Sequence, residues 1–185
     1  MATQGPLSPA TTVDDATVGT ISWVNPNKAQ VLDGVYAVAG VNPGTAQSHY
    51  LNATNFGFSI PTGATINGVL LETYFTHSGS ATDKSVKLVK GGTIGGTEHS
   101  ASTNLGGHDS SYFPYGNSTD LWGLTLTPAD INASNFGAVV SYQGIPSTGG
   151  LVNVDHIRIT VTYTAASSAS ISNIQSITNI ISLTL

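Results

Sequence analysis

The chain has 185 residues, no cysteine, and a charged fraction of only 8%, against about 25% in an average soluble protein. The missing cysteines exclude disulfides and thiolate metal sites, and five Lys and Arg residues with a net charge of -5 leave no basic surface for the phosphates of a nucleic acid. The sequence has no run of about 18 apolar residues that would span a membrane, and its first residues lack the basic segment and apolar core expected of a secretory signal.

Residues 1–19 contain Pro6 and Pro9, which favour an extended N-terminal arm over a helix. From residue 20 onward, short apolar or alternating runs are separated by turn sequences such as Asp33-Gly34. Each run is typical of a β-strand. The predicted short strands cover residues 20–24, 35–38, 50–60, 65–76, 85–89, 121–127 and 136–142.

Two stretches carry few strand signals. Residues 91–107 are rich in glycine, and residues 110–120 are irregular. Four aromatic residues fall in or beside the second stretch: Tyr112, Phe113, Tyr115 and Trp122. This aromatic cluster is a candidate contact for a sugar or a partner protein, although aromatic residues in loops more often close the end of a sandwich. Just beyond it, Thr127 and Pro128 predict a single helical turn, because Thr is a fair N-cap and Pro suits the first helical position.

The longest strand signal covers residues 151–164. Val152 and Val154 occupy alternate positions. The pattern then shifts by one residue and continues at Ile157, Ile159, Val161 and Tyr163. Alternation of this kind predicts a strand with one buried face and one wet face. Because the segment is far longer than an average strand, we predict a central strand with a bulge near Asp155 and His156.

Turn signals between many short strands predict an all-β fold, an antiparallel β-sandwich of jelly-roll-like form with about eight strands. The organisation we expect is an extended N-terminal arm over residues 1–19, the β-sandwich over residues 20–164, and an apolar C-terminal tail over residues 165–185. A domain of this size buries roughly 70% of the surface of its unfolded chain, so it needs no disulfide or metal to fold.

The tail opens with six small residues, 165–170, and continues with seven aliphatic ones: Ile171, Ile174, Ile177, Ile180, Ile181, Leu183 and Leu185. Their spacing fits a helical stripe in part and a strand in part, and the sequence leaves both open. Burying about five of these side chains would contribute on the order of 10 kcal/mol before ordering costs. We therefore predict an assembly interface between copies of the chain. The alternative is that the tail folds back on its own sandwich.

The polar residues form no recognisable catalytic, cofactor or metal motif. The five histidines lack the i, i+2 or i, i+4 spacing of metal ligands, although His99 and His108 in the glycine-rich region could meet at a cation. Adjacent residues of a strand point to opposite faces, so Asp155 and His156 do not indicate a catalytic triad. Glu72 and Asp155 would be the carboxylate pair of a polysaccharide-degrading enzyme, a further alternative. We expect no enzyme activity, no cofactor and no metal.

Several stretches taken together resemble a domain family found in tailed-phage virion proteins and related bacterial contigs. They are residues 5–9 (GPLSP), 13–15, 19–23 with Asn25-Pro26, 54–61 (TNFGFSIP), 63–68 (GATING), 118–123 (STDLWG), 129–137 (ADINASNFG) and 154–161 (VDHIRITV). The resemblance covers most of residues 5–164. It implies a structural role in a particle and carries over no catalytic residue.

These observations predict a structural protein of a phage virion, serving as a capsid decoration, a head fibre or a tail-associated protein. We expect it to oligomerise, as a trimer by analogy with other sandwich domains that carry apolar tails, and to attach to neighbouring virion proteins. Nucleic acid and membranes are not expected as partners. The alternative from another class is a carbohydrate-binding module that attaches to host glycans through the aromatic cluster.

Overall fold

The structure is a computed structural model of the chain, and it describes residues 1–41, 46–78, 81–102, 110–145 and 150–167. In this part of the chain, two antiparallel β-sheets pack against each other, which confirms the predicted all-β sandwich. The seven aliphatic residues of the predicted assembly interface, all within residues 171–185, lie outside the described residues, and so does His108.

Ten strands and two short helical segments are described. The strands are β1 Ala2–Leu7, β2 Thr11–Asp15, β3 Ala37–Val41, β4 Tyr50–Thr54, β5 Thr65–Ser78, β6 Ala81–Lys90, β7 Thr93–Gly95, β8 Ser111–Gly116, β9 Gly137–Gly144 and β10 Gly150–Thr164. The helical segments are a 3-10 turn, Pro26–Ala29, and α1, Pro128–Asn132.

The strands pair in the nested order of a jelly roll. The first strand pairs with the last (β1 with β10), and further inward β4 pairs with β9, β5 with β8, and β6 with β7. Pairing of β5 with β10 and of β6 with β9 joins these into two sheets, β1-β10-β5-β8 and β4-β9-β6-β7. Strand β3 also pairs with β10 in the first sheet, and β2 adds an edge to the second sheet beside β4.

Strand β10 is the predicted long central strand. It pairs with β5 on one side and with β1 and β3 on the other. The pairing register shifts between Val154 and His156, so Asp155 is the extra residue of the predicted bulge. The apolar residues that follow the bulge are buried between the sheets: Ile157, Ile159 and Val161. The bulge and the alternation were both readable because they are local patterns.

The N-terminal segment is part of the sandwich, and the prediction of an extended arm over residues 1–19 is wrong. Strand β1 pairs with the end of β10, and β2 pairs with β4. Pro6 is accommodated because the pairing is irregular between Gln4 and Leu7, where a residue without an N–H breaks no ladder hydrogen bond. The sandwich therefore begins at β1 rather than at residue 20.

Two predicted strands are absent, and β7 and β8 form in the two stretches that carry few strand signals. Residues 20–24 make only isolated bridges. Residues 121–127 form turns, because Trp122 has a left-handed backbone and its N–H donates to the Asp120 carboxylate. Residues 111–116 form β8 along β5. The predicted helical turn is confirmed as α1, where Thr127 and Asp130 cap each other's backbone N–H.

Candidate functional site

Two of the four residues in the aromatic cluster lie in the core. Trp122 is completely buried, and its Nε1 donates a hydrogen bond of 2.9 Å to the Val69 carbonyl oxygen. Tyr115 is only 3% exposed. Neither ring presents a face to a sugar, so the expectation of a ligand contact at Tyr115 and Trp122 is wrong. The gain from burying large rings explains why they close the sandwich instead.

Tyr112 and Phe113 are half-buried and lie on opposite faces of β8. Phe113 points the same way as Tyr115, and their ring centres are 5.0 Å apart. Tyr112 lies on the outer face, where the guanidinium carbon of Arg158 is 3.4 Å from its ring centre. The Tyr74 ring approaches it edge-on at 5.3 Å. The cluster is therefore divided, and its one outward ring is already stacked against a cation.

A polar network covers the outer face of the first sheet around Tyr112. His156 lies between two hydroxyl groups, with Nδ1 at 2.7 Å from the Tyr112 oxygen and Nε2 at 2.9 Å from the Ser8 oxygen. Arg158 donates two hydrogen bonds to Glu72, of 2.8 Å and 3.0 Å. Burial, with the nearby Arg158 charge, lowers the pKa of His156, so the neutral imidazole is favoured.

The contact of Ser8 with His156 has the residue types of a nucleophile and its base. In a hydrolase triad a carboxylate orients the histidine, but here a tyrosine hydroxyl takes that place. The Asp155 carboxylate instead accepts hydrogen bonds from two backbone N–H groups, those of Asp33 at 3.1 Å and Gly34 at 3.1–3.2 Å. Glu72 is held by its arginine. The two carboxylates of the enzyme alternative thus have separate partners, and the network ties strands together.

Asp155→Ala is expected to lower the free energy of unfolding by about 1–3 kcal/mol, because it leaves two backbone N–H groups without their acceptor. Hydrogen exchange at the Gly34 amide should become faster, and denaturant unfolding gives the stability. The matched control is Asp33→Ala, which removes an exposed carboxylate that, among the described residues, accepts the Val35 N–H within its own turn. Unchanged exchange at Gly34 in Asp155→Ala would contradict this role.

Two other histidines lie within hydrogen-bond distance of nearby aspartates. The distance from His49 Nδ1 to Asp14 is 2.9 Å, and that from His99 Nε2 to Asp120 is 2.6 Å. Whether His99 and His108 approach each other falls outside the described residues. Within the part of the chain that the structure describes, no three His, Asp or Glu side chains are grouped so as to hold a metal ion.

A cluster of buried oxygens lies between the two sheets, and no sequence pattern predicts it. One oxygen each of Thr73, Asp83, Tyr115 and Tyr142 makes no hydrogen bond of normal length and angle with the described residues. The other Asp83 oxygen accepts from the Ala101 N–H at 2.7 Å. Burial raises the pKa of the Asp83 carboxyl, and burial with the neighbouring Tyr142 and Asp83 raises that of Tyr115. Only strand pairing reveals the cluster, since Asp83 faces Tyr142 across β6 and β9.

The surface also carries a group of exposed aliphatic side chains, which we call the apolar edge. Its members are 45–60% exposed: Val24, Val31, Leu32, Val35 and Leu151. All belong to, or lie beside, the region where β3 pairs with β10. No pattern in the sequence indicates a functional role for these residues.

Backbone pairing places the members of the apolar edge together. Val24 lies opposite Val38, which in turn faces β10, and Leu151 faces Gly40 two residues further along β3. Residues directly opposite each other, or two apart on one strand, share a face. Val24 and Leu151 therefore point to the same outer side of the first sheet. The loop of residues 31–35 is attached nearby, because the Asp155 carboxylate in the bulge of β10 accepts hydrogen bonds from the backbone N–H groups of Asp33 and Gly34.

No protein-family model, curated protein or solved structure matches the chain. None of the helices in the described residues is long enough and apolar enough to cross a membrane. What the chain does must therefore be inferred from its own residues.

Proposed function

We propose that the chain is a structural subunit of a tailed-phage particle, which assembles with copies of itself and with neighbouring virion proteins and performs no catalysis. The observation that carries this proposal is the apolar edge, five half-exposed aliphatic side chains on β10, on the segment that bridges to β3, and on the loop attached to the bulge of β10. Apolar surface gathered in this way is unfavourable in water and is typical of a contact with another protein.

The scarcity of charge supports the assembly of many identical copies. Charged residues make up 8% of the chain, so neighbouring subunits repel each other little. Several of the charged groups that do occur are paired within the chain, such as Glu72 with Arg158 and Lys90 with Asp130 at 3.4 Å. A surface of uncharged polar residues allows close packing without the desolvation of charges.

The fold supports the proposal only together with the sequence pattern. Jelly rolls occur in viral capsid proteins, and also in lectins and cupins, so the topology alone does not choose among these classes. The resemblance of many stretches in residues 5–164 to a tailed-phage virion domain favours the particle. A trimer that decorates a capsid, forms a head fibre or joins the tail is the form we propose.

The described residues of the aromatic cluster offer little support for the glycan-binding alternative. It needs exposed rings that can stack on a sugar, but Tyr115 and Trp122 are buried and one face of Tyr112 is covered by Arg158. Aliphatic side chains such as those of the apolar edge offer a sugar neither stacking nor hydrogen bonds. Protein–protein assembly is the function that this surface supports best.

Deleting residues 171–185 is expected to convert an oligomer, proposed to be a trimer of 18.9-kDa chains, into a monomer. The deletion removes all seven aliphatic residues of the tail, and burying about five of them would contribute on the order of 10 kcal/mol before ordering costs. Light scattering measures the mass. The matched control keeps the tail but replaces its two asparagines, Asn173→Ser with Asn179→Ser, and should stay assembled. An unchanged mass after the deletion would overturn the proposal.

A further inference from the structure

We propose that the apolar edge of one copy receives the C-terminal tail, residues 171–185, of a second copy. This inference rests on the proposed function, because it identifies the surface to which the tail of an assembling subunit binds. The edge offers five aliphatic side chains to the solvent. The sequence of the tail supplies seven Ile and Leu residues and no charged residue. Each therefore provides the apolar cover that the other lacks.

The size of the apolar edge favours a chain segment as its occupant. Five aliphatic side chains that are about half exposed present roughly 400 Å², the size of the largest apolar patch on a typical monomer, which is often functional. Two folded bodies that bind each other specifically need about 800 Å² on each partner. The edge is thus too small to hold two sandwiches face to face. It is large enough for the side chains along one face of a short segment, whether helix or strand.

The apolar edge is held in place before any partner arrives. Asp155 fixes the loop through the backbone N–H groups of Asp33 and Gly34, and Val24 is held by two backbone hydrogen bonds to Val38, of 2.8 Å and 3.0 Å. A surface that is already ordered loses little conformational freedom when it binds, so more of the burial energy remains for affinity.

The direction of the chain favours a second copy over self-coverage. The tail follows Thr164, at the far end of β10, whereas Leu151 begins that strand roughly 40 Å away at about 3.3 Å per residue. Ala166 lies beside the turn that precedes β5, because a methyl group added to Gly63 in that turn would lie 3.3 Å from the Ala166 methyl group. The chain is therefore still at this far end when the tail starts. Ile171 reaches at most about 25 Å from Thr164, so self-coverage would bring only later tail residues to the edge.

The first arm of the test places charge on the apolar edge of the full-length chain. Val31→Asp combined with Leu32→Asp should raise the dissociation constant of the oligomer by about 100-fold or more, because two buried aliphatic contacts are lost and two carboxylates are desolvated. The matched control is Val13→Asp, an equally apolar side chain that is 44% exposed on β2 of the other sheet. It should change the dissociation constant by less than about threefold, since isolated surface changes have small effects.

The second arm uses the absence of cysteine in the chain. One population carries Val31→Cys and another Ile181→Cys; the two are co-assembled and treated with a flexible bis-maleimide. The expected product is a cross-linked dimer that joins position 31 of one copy to position 181 of another, identified by peptide mapping. The control combination of Val13→Cys with Ile181→Cys should give at least tenfold less cross-linked dimer. A chain with both Val31→Cys and Ile181→Cys, diluted into excess unmodified chain, detects linkage within one copy.

The outcomes separate this inference from the proposed function. Dissociation by the charged variant, with cross-links between copies, supports the inference. If deletion of the tail dissociates the oligomer but the charged variant stays assembled, the tail binds elsewhere and only the inference is overturned. Linkage within one copy that persists on dilution also overturns it. If deletion of the tail leaves the mass unchanged, the tail does not hold the oligomer together, and both the proposed function and this inference are overturned.

Discussion

Trp122→Ala is expected to lower the free energy of unfolding by about 3–5 kcal/mol, the usual cost of removing a large aromatic side chain from a core. The indole is completely buried and stacks on His99, with ring centres 4.0 Å apart. Its N–H satisfies the buried Val69 carbonyl. Since a domain is stable by only about 5–15 kcal/mol in total, the midpoint of denaturant unfolding should fall markedly.

Trp122→Phe is the matched variant for this change. It keeps most of the ring but leaves the Val69 carbonyl without its donor, so a smaller loss of about 1–3 kcal/mol is expected. The His99→Ala variant removes the stacking ring together with its 2.6 Å contact to Asp120 but leaves the indole in place, so its loss of stability should be smaller than that of Trp122→Ala. If Trp122→Ala were as stable as the unmodified chain and had lost only the binding of a glycan, the ring would be a ligand contact rather than part of the core.

Local patterns in the sequence predicted the parts of the fold that depend on neighbouring residues. Alternation over residues 151–164 gave the central strand, and the one-residue shift near Asp155 gave its bulge. Thr127 and Pro128 gave the helical turn, because capping involves only residues within one turn of each other. Turns and short strands are also local patterns, so the sequence predicts the all-β class correctly.

Contacts between distant residues could not be predicted in this way. The Ser8 hydroxyl meets the His156 ring across 148 positions of sequence, and no periodicity links them. The arm was expected because prolines disfavour regular structure, but the free edges of β10 and β4 supply hydrogen bonds for two strands there. The aromatic cluster was assigned to a loop because its sequence is irregular. The burial of Trp122 depends on how the two sheets close over it, which no local pattern shows.

The apolar edge shows the same limit at the proposed docking surface. The turn at Asp33-Gly34 was predictable from its sequence, whereas its attachment to Asp155 was not. That attachment turns a short loop with three aliphatic residues into part of a fixed surface beside β10. The sequence predicts that the tail needs a cover, and the apolar edge has the matching aliphatic chemistry.

Asp83→Asn is expected to stabilise the protein at pH 8, by about 1–3 kcal/mol, the cost of leaving a buried polar group poorly hydrogen-bonded. Burial raises the pKa of this carboxyl in the folded state. The folded protein therefore holds the Asp83 proton more tightly than the unfolded chain does. The stability associated with that proton is present below the unfolded pKa and is lost as the pH rises through the raised pKa. Denaturant unfolding from pH 4 to pH 8 measures the effect.

An asparagine keeps the shape of Asp83, accepts the Ala101 N–H as before, and can donate to the neighbouring hydroxyl groups without titrating. The difference in stability between Asp83→Asn and the unmodified chain should therefore grow as the pH rises. The control is Tyr142→Phe, which removes a buried hydroxyl of the same cluster but leaves the carboxyl, so its pH dependence should follow that of the unmodified chain. A difference that stays constant with pH would show that the Asp83 carboxyl does not bind its proton more tightly in the folded state.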